Sequence, residues 1–236
     1  TGMENHSKYG ASIYFHNDDE LFVYQYIASQ LTWEEKGLVI TQKTNYPEEQ
    51  GSSFEITAET PVNLTIFIRY PGWATDGIEI RVNGKEQKIP QSPGSFVPLA
   101  RKWKTGDRIE VHIPFGLRLE TMPDDSLRVA VFNGPTVLAG ELGTVDDTAA
   151  TSPLYVPVLM TSERDPAKWT EPVPGESNTF MMKNAGRPRD VMLKPFYKTY
   201  DMRYSIFWDM FTEEAWKERE EEYIALLEFK KNLERI

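Results

Sequence analysis

Cysteine is absent from the 236 residues, and histidine occurs only three times. Without cysteine the chain has no disulfide bond, no thiolate nucleophile and no cysteine ligand for zinc. The histidines are His6, His16 and His112, and none has a spacing typical of metal ligands, such as i and i+4 on one helix. The residues therefore predict no cofactor and no metal site within this chain.

Positive charge and long apolar runs are also scarce. Lysine and arginine number 26 against 36 acidic residues, which gives a formal net charge of -10. A nucleic-acid partner needs a clustered positive surface, so we expect none. No apolar run approaches the roughly 18 residues that a membrane-spanning helix needs, so we expect no membrane partner. The first ten residues lack the apolar segment of a signal peptide and resemble mid-protein sequence.

Familiar hydrolase motifs are missing as well. The sequence has no Gly-x-Ser-x-Gly nucleophile elbow and no glycine-rich phosphate loop. Adjacent acids could suggest a carboxylate pair for glycosidic cleavage. They occur among turn residues, which favours solvated turns instead. The pairs at such positions are Asp18-Asp19, Glu48-Glu49, Asp124-Asp125 and Asp146-Asp147.

Alternating apolar and polar residues dominate what is present, most clearly in residues 62–84. The alternation predicts two half-buried strands that pair as an antiparallel sheet around a bend at Pro71-Gly72. Asn83-Gly84 predicts a type I′ hairpin turn, which needs positive φ at both positions. A similar pattern around Ile109 and Val111 predicts an inward apolar face with His112 outward.

The strand pattern extends over most of the chain and predicts a mainly β fold with a C-terminal helix. Small and acidic residues at 143–153 indicate a connection between two β domains. Thr212 is a candidate helix cap, followed by Glu213 and Glu214 in the first turn. The prediction is a tail at 1–10, a first antiparallel β-sandwich at 11–142, a linker at 143–152, a second sandwich at 153–211 and a helix at 212–236.

Four aromatic residues near strand ends have two interpretations. An exposed ring could stack on a sugar face, whereas most aromatic rings in β proteins belong to the core or to a domain interface. The four are Trp33, Tyr70, Trp73 and Trp103. The first interpretation predicts a carbohydrate-binding module, and the second a structural domain.

Several ordered segments resemble the C-terminal part of glycoside hydrolases of family 127 and the related family 146, the β-L-arabinofuranosidase-like enzymes. They are TGMENHSKYGASIYFHNDDELFVYQYIAS at the start, IRYPGWA in the centre, NGPTVLAG near 133 and RYSIFWDMFT near the end. The resemblance runs along nearly the whole chain. It implies an accessory β-sandwich region of a bacterial enzyme that acts on plant-type glycans.

The resemblance also implies that the catalytic domain lies outside this chain. In that family an N-terminal (α/α)6 barrel carries catalysis, with a zinc-bound cysteine as nucleophile and a glutamate as acid/base. Its paired-cysteine motif is expected just before Thr1, so this fragment is predicted to be inactive alone and to brace the barrel. Glu4, Asn5 and His6 match a segment beside the family's active site, and with Tyr70 and Trp73 they are the candidate substrate-binding residues.

The sequence also leaves two alternative functions open and favours one cellular location. The alternatives are a carbohydrate-binding module that uses the exposed aromatics, and a structural interaction domain that docks through the apolar stripe of the C-terminal helix. The stripe comprises Trp216, Tyr223, Leu226, Leu227 and Leu233. A bacterial glycan-degrading enzyme would favour a periplasmic or extracellular location.

Overall fold

The computed structural model describes residues 8–145, 158–187 and 189–233. The chain divides into two compact units, Thr1–Phe115 and Gly116–Ile236. Both units are built mainly from antiparallel strands, and one α-helix lies near the C-terminus. The predicted fold class is therefore confirmed.

The described residues of unit 1 contain ten strands. They are β1 (Tyr14–His16), β2 (Glu20–Val23), β3 (Ser29–Trp33), β4 (Leu38–Lys43), β5 (Gly51–Ala58), β6 (Val62–Tyr70), β7 (Glu79–Val82), β8 (Lys85–Glu86), β9 (Ser95–Trp103) and β10 (Arg108–His112). A 3₁₀ turn, Glu34–Lys36, joins β3 to β4.

Two sheets make up unit 1. The smaller has the order β1-β2-β6-β9, in which β2 and β6 run parallel and the other neighbours are antiparallel. The larger has the order β3-β4-β5-β10-β7-β8 and is antiparallel throughout. Apolar residues of both sheets meet in one buried core, among them Ile66 and Ile68 of β6 and Ile109 of β10. This packing of two sheets is a β-sandwich.

The local turns of unit 1 follow the predictions. β1 and β2 form a hairpin around Asn17–Asp19, and β7 and β8 pair across Asn83-Gly84. Asn83 has φ of 51° and Gly84 has φ of 76°, as a type I′ turn requires. On β10, Ile109 and Val111 are buried while His112 faces outward.

The predicted pairing of the two strands in residues 62–84 is wrong. β6 lies in the four-stranded sheet and β7 in the six-stranded sheet. The intervening residues 71–78 turn at Pro71, whose carbonyl accepts a hydrogen bond from Ala74 N–H at 3.1 Å. Stacked sheets lie about 10 Å apart, a gap that eight residues easily cross. Both strands keep their apolar side chains in the shared core, so alternation alone could not tell which sheet each strand joins.

In the parts of unit 2 that the structure describes, ten strands and one α-helix are present. They are β11 (Leu117–Thr121), β12 (Arg128–Asn133), β13 (Thr136–Thr144), β14 (Val158–Met160), β15 (Thr170–Pro172), β16 (Phe180–Met182), β17 (Gly186–Arg187), β18 (Met192–Pro195), β19 (Met202–Ser205), β20 (Phe207–Phe211) and α1 (Glu213–Leu233). Two 3₁₀ turns, Pro166–Lys168 and Phe196–Lys198, lie before β15 and after β18.

Hydrogen bonds connect the ten described strands of unit 2 in a branched sheet. β12 pairs with β11, β13 and β20, and β13 also pairs with β18 and β19. The sheet folds over its own core, so that the fully buried Trp208 of β20 covers Gly140 of β13. A Cβ atom on Gly140 would lie 2.3 Å from Cη2 of Trp208, which is why glycine occupies this position.

The domain boundary differs from the predicted one. The predicted first sandwich ended at 142, but β12 and β13 belong to unit 2, where their partners come from residues 192–211. Composition alone marked the acidic stretch 143–152 as a linker, yet β13 continues to Thr144. Residues 146–157 lie outside the described part of the chain. The structural boundary falls instead between Phe115 and Gly116.

The C-terminal helix begins as predicted. Thr212 Oγ1 accepts a hydrogen bond from Ala215 N–H at 3.2 Å, and Thr212 O accepts one from Trp216 N–H at 2.9 Å. Glu213 and Glu214 occupy the first turn, where negative charge is favourable. Phe211 and Trp216 are in edge-to-face contact, which anchors this turn to β20. No described helix is both long and apolar enough to cross a membrane.

Candidate functional surface

The five predicted substrate-binding residues fall into three environments. Glu4, Asn5 and His6 lie outside the described residues. Tyr70 is only 5% exposed and belongs to the core of unit 1, so its ring face is not available to a sugar. Trp73 is half-buried and packs edge-to-face on Phe115, with ring centroids 5.8 Å apart. The described residues therefore form no aromatic platform from Tyr70 and Trp73.

The two other tryptophans considered for sugar stacking are also core residues. Trp103 is fully buried, and its Nε1–H donates to Leu64 O at 2.9 Å. Trp33 is 6% exposed, and the ring of His16 lies 4.4 Å from it, centroid to centroid. Both positions match the second interpretation of these aromatics, that of core packing.

A different aromatic surface lies on the outer face of the four-stranded sheet. In the β1-β2 register Phe15 is opposite Phe22, and Phe22 is opposite Phe67 on β6. Phe67 is in turn opposite Pro98 on β9. Side chains alternate between the two faces of a strand, so this row points away from the core that holds Leu21, Ile66 and Val97. An apolar row thus crosses all four strands.

A second row lies beside the first. Arg69 is opposite Phe96 in the β6-β9 register, and the ring of Tyr24 lies under the Arg69 guanidinium at 5.4 Å. Arg69 Nη1 also donates to Tyr24 O at 3.1 Å. We call the surface formed by both rows the aromatic face. Its members are Phe15, Phe22, Tyr24, Phe67, Arg69, Phe96 and Pro98.

The rings of the aromatic face contact one another. Phe22 and Phe67 are stacked, with centroids 4.5 Å apart and an interplanar angle of 9°. Phe96 meets Phe22 edge-on at 5.5 Å and approaches Tyr24 at 5.4 Å. Phe15 meets Tyr24 edge-on at 5.2 Å. Much of the ring area is used in these contacts, yet Phe15 and Tyr24 remain 47% and 42% exposed.

The outer face of the six-stranded sheet is chemically the opposite. One row across it is made of Lys43, Ser53, Glu110, Arg81 and Glu86. Its charged side chains form ion pairs at the surface, such as Lys43 Nζ to Glu55 Oε2 at 2.7 Å. This face is suited to water, so unit 1 has one solvated face and one apolar face.

The sequence contains a signal for the aromatic face, namely strands that are apolar on both sides. Within the alternating pattern of residues 62–70, Phe67 takes an outward position among Asn63, Thr65 and Arg69. The segments LFVY at 21–24 and IFI at 66–68 are apolar on both sides of the strand. Strands with near-continuous apolar sequence are typical of sheets covered on both faces. That rule would have identified the surface.

Polar groups of unit 1 form a structural network between hairpins. Asp107 is 3% exposed and accepts hydrogen bonds from Asn83 Nδ2 at 2.8 Å and Lys104 N–H at 3.0 Å. Burial raises the pKa of Asp107, but these hydrogen bonds and the nearby Arg101 outweigh it, so the pKa lies below its usual 3.8. Every partner is part of a turn or strand end, so the network supports the fold.

Metal-ligating side chains do not cluster in the part of the chain that the structure describes. Among residues 8–145, 158–187 and 189–233, no group of three or more histidine, cysteine or acidic side chains is placed to hold a metal ion. The whole sequence contains no cysteine. The zinc centre that the resemblance implies is predicted for the catalytic barrel, not for this chain, and stays a prediction.

Unit 2 has its own exposed aromatics within residues 196–204. Tyr200 is 78% exposed, and Tyr197 and Tyr204 are 48% and 44% exposed. Phe196 packs edge-on against Tyr204 at 5.2 Å. Tyrosine offers both a ring face and a hydroxyl, which suits contact with polar ligands.

Comparison with known families gives one match, which covers most of unit 1. The model of the glycoside hydrolase family 127 β-L-arabinofuranosidase middle domain matches residues 20–115. The match ends at the residue where unit 1 ends. A search of curated proteins found no match.

Solved structures support the same conclusion at the level of fold. A family 127 β-L-arabinofuranosidase from Geobacillus stearothermophilus T6 is similar with a TM-score of 0.62 and 21% identity, over 87% of this chain and 36% of that one. A second family 127 β-arabinofuranosidase has a TM-score of 0.61 and 19% identity, over 84% and 36%. The chain spans about a third of the length of these proteins. Residues 20–115 thus match the family 127 middle-domain model, and the chain is similar in fold to family 127 β-L-arabinofuranosidases.

Proposed function

We propose that this chain is the non-catalytic β-sandwich region of a β-L-arabinofuranosidase-like glycoside hydrolase and braces the enzyme's catalytic (α/α)6 barrel. The observation that carries the proposal is that the family match, residues 20–115, ends at the same residue as structural unit 1. A self-contained sandwich is a rigid support for a neighbouring domain. The parent enzyme would act on plant-type glycans, outside the cytoplasm of a bacterium.

The residues of this chain support a role outside the chemical step. A glycosidase of the resembled type needs a thiolate nucleophile held by zinc, and no side chain in these 236 residues can supply one. The two glutamates whose pKa is lowered, Glu55 beside Lys43 and Glu163 beside Lys168, are in surface ion pairs. Asp107, the aspartate with a lowered pKa, lies in the turn network of unit 1. We therefore assign nucleophile and metal to the remainder of the enzyme.

Activity measurements on two proteins test this role. One is the isolated 236-residue chain, and the other is the full product of the gene that contains it. With an aryl β-L-arabinofuranoside, we expect turnover by the full product only, with inhibition by chelators and thiol reagents. Turnover by the isolated chain that neither reagent affects would overturn the proposal.

Glycan binding through unit 2 is a second candidate, and the exposed tyrosines at 197, 200 and 204 favour it. Affinity electrophoresis of the isolated chain in gels containing arabinan tests it. Retardation that Tyr200→Ala abolishes and Tyr24→Ala leaves intact would support glycan binding. Tyr24 is a suitable control because it is also an exposed tyrosine but lies on the aromatic face of unit 1. Equal mobility with and without arabinan would exclude this candidate.

A further inference from the structure

We propose that the aromatic face of unit 1 is a docking surface for another part of the same family 127 polypeptide. The inference rests on the proposed function, and it names the surface through which the sandwich supports the rest of the enzyme. The occupant is a protein surface that is apolar at its centre and presents a carboxylate to Arg69.

The contrast between the two sides of unit 1 is the first argument. Each sheet has one face in the shared core, so an isolated sandwich needs polar outer faces on both sheets. The outer face of the six-stranded sheet is polar, because it carries the row of Lys43, Ser53, Glu110, Arg81 and Glu86. The four-stranded sheet instead exposes a row that runs from Phe15 to Pro98 across every strand. Contiguous apolar patches of this kind mark interaction sites.

Arg69 supplies the second argument and the charge of the partner. Its guanidinium lies over the Tyr24 ring, and one of its nitrogens donates to Tyr24 O. In the described part of the chain, no carboxylate forms an ion pair with it. A guanidinium held in place on an aromatic ring keeps donors free for a carboxylate, which it binds with two parallel hydrogen bonds. A partner acid opposite Arg69 would complete the pair.

Ring geometry separates a protein partner from a sugar. Sugar stacking needs an open ring face with polar groups nearby. Here the faces of Phe22 and Phe67 cover each other, and the edge of a third ring, Phe96, meets Phe22. Phenylalanine also has no hydrogen-bonding group for a hydroxyl. An interdigitating apolar protein surface fits these rings better.

The length of the relatives identifies the source of that protein surface. The matched domain is by description a middle domain, and the solved relatives are almost three times as long as the part that this chain covers. An apolar face on a middle domain is most simply covered by a neighbouring domain. The proposal therefore commits to the same polypeptide, and a second copy of this chain is the competing outcome.

Hydroxyl-radical footprinting tests the docking surface directly, because it reports the solvent contact of individual side chains. The isolated chain and the full gene product are oxidised in parallel. We expect several-fold lower oxidation of Phe15, Tyr24 and Phe96 in the full product, with His112 on the solvated face equally oxidised in both. Equal oxidation of the aromatic face in both proteins would overturn the proposal. A gene product that consists of this chain alone would overturn it as well.

Variants check that the protection comes from docking. In the full product, Phe22→Ser with Phe67→Ser is expected to restore oxidation of Phe15 and Phe96, whereas the matched control Val39→Ser on the other sheet is not. Circular dichroism of the isolated chain with the same substitutions shows whether unit 1 still folds. If it does not, Arg69→Ala provides the test, with a smaller gain in oxidation expected.

The remaining outcomes separate docking from the alternatives. If light scattering shows the isolated chain to be a dimer with the same rings protected, the face is a self-association surface and the proposal fails. Protection of the isolated chain by arabinan would assign the face to glycan and also overturn it. The arabinofuranosidase assay of the full product is independent of the footprinting. Activity of a full product whose aromatic face is not protected would refute the docking proposal alone. Protection of the face without activity would refute the proposed function alone.

Discussion

Asn83 and Asp107 link two turns of the sandwich that are far apart in sequence. Asn83 Nδ2 donates to the Asp107 carboxylate at 2.8 Å, and Asn83 Oδ1 accepts from Arg108 N–H at 2.8 Å. The residue that forms the β7-β8 turn through its positive φ thus also secures the start of β10. This double role explains why asparagine, rather than glycine, precedes Gly84.

The first prediction concerns pH. Because the folded pKa of Asp107 is below its usual 3.8, ionised Asp107 stabilises the native state fully above that value, and the contribution is lost as the pH falls through the lower folded pKa. Asp107→Asn removes a charged acceptor and is expected to cost about 1–3 kcal/mol at neutral pH. Urea unfolding from pH 7 to 2 should show this difference narrowing in acid. The exposed control Asp76→Asn should follow the wild type, and a difference that grows in acid would contradict the prediction.

A second prediction concerns the close contact in unit 2. Gly140→Ala places a methyl group against the Trp208 ring, and overpacking of this kind costs about 1–3 kcal/mol. Trp208→Phe removes the ring atoms that the methyl group would meet. The double variant should therefore be more stable than the sum of the single effects predicts. Additive effects in guanidinium unfolding would show that the two residues are not coupled.

The third prediction compares two buried tryptophans. Trp103→Phe removes the hydrogen bond to Leu64 O, whereas Nε1 of Trp33 has no partner among the described residues. Both changes remove similar ring area, so Trp103→Phe should lower the free energy of unfolding by about 1 kcal/mol more than Trp33→Phe. Neither should change mobility in glycan-containing gels. A loss of glycan binding without a loss of stability would restore the sugar-stacking interpretation.

A fourth prediction concerns the loop that ends β17. The carboxylate of Asp190 accepts backbone N–H bonds from Asn184, Ala185 and Gly186, at 2.7, 3.0 and 2.7 Å. Asp190→Ala leaves these donors without their acceptor and should destabilise unit 2 by about 1.5–3 kcal/mol. Asp190→Asn retains one acceptor oxygen and should cost less. Thermal unfolding by circular dichroism measures both, and Asp124→Ala serves as the exposed control.

Features of the fold that depend on neighbouring residues in the sequence were predicted, whereas features that depend on residues far apart in the sequence were not. Side-chain period and turn chemistry are local, so the faces of β6 and β10, the Asn83-Gly84 turn and the Thr212 cap were all predicted. The sheet to which a strand belongs is decided by partners far away in sequence. Alternation is the same in either sheet, so the separation of β6 from β7 could not be derived.

The predictions of the domain boundary and of the functional surface were wrong for related reasons. Acidic composition at 143–152 resembled a linker, but whether β13 belongs to unit 2 depends on its pairing with β18 and β19. Aromatic residues near strand ends suggested a sugar platform, yet Tyr70 and Trp103 are large enough to fill the core and do so. The aromatic face is instead built largely from phenylalanines within strands, such as Phe15, Phe22 and Phe67. Only the observed register shows that they form one continuous row.

Strand order in unit 1 also bears on how the protein forms during synthesis. The smaller sheet is completed by β9, and the larger sheet needs β10 between β5 and β7. A nascent chain that has emerged only as far as β8 therefore holds two unfinished sheets with open edges. Neither sheet can be completed until residues 95–112 have left the ribosome. Unit 1 is therefore expected to fold late and in one step. Chaperone binding should be strongest just before that point, when the strand edges are still unpaired.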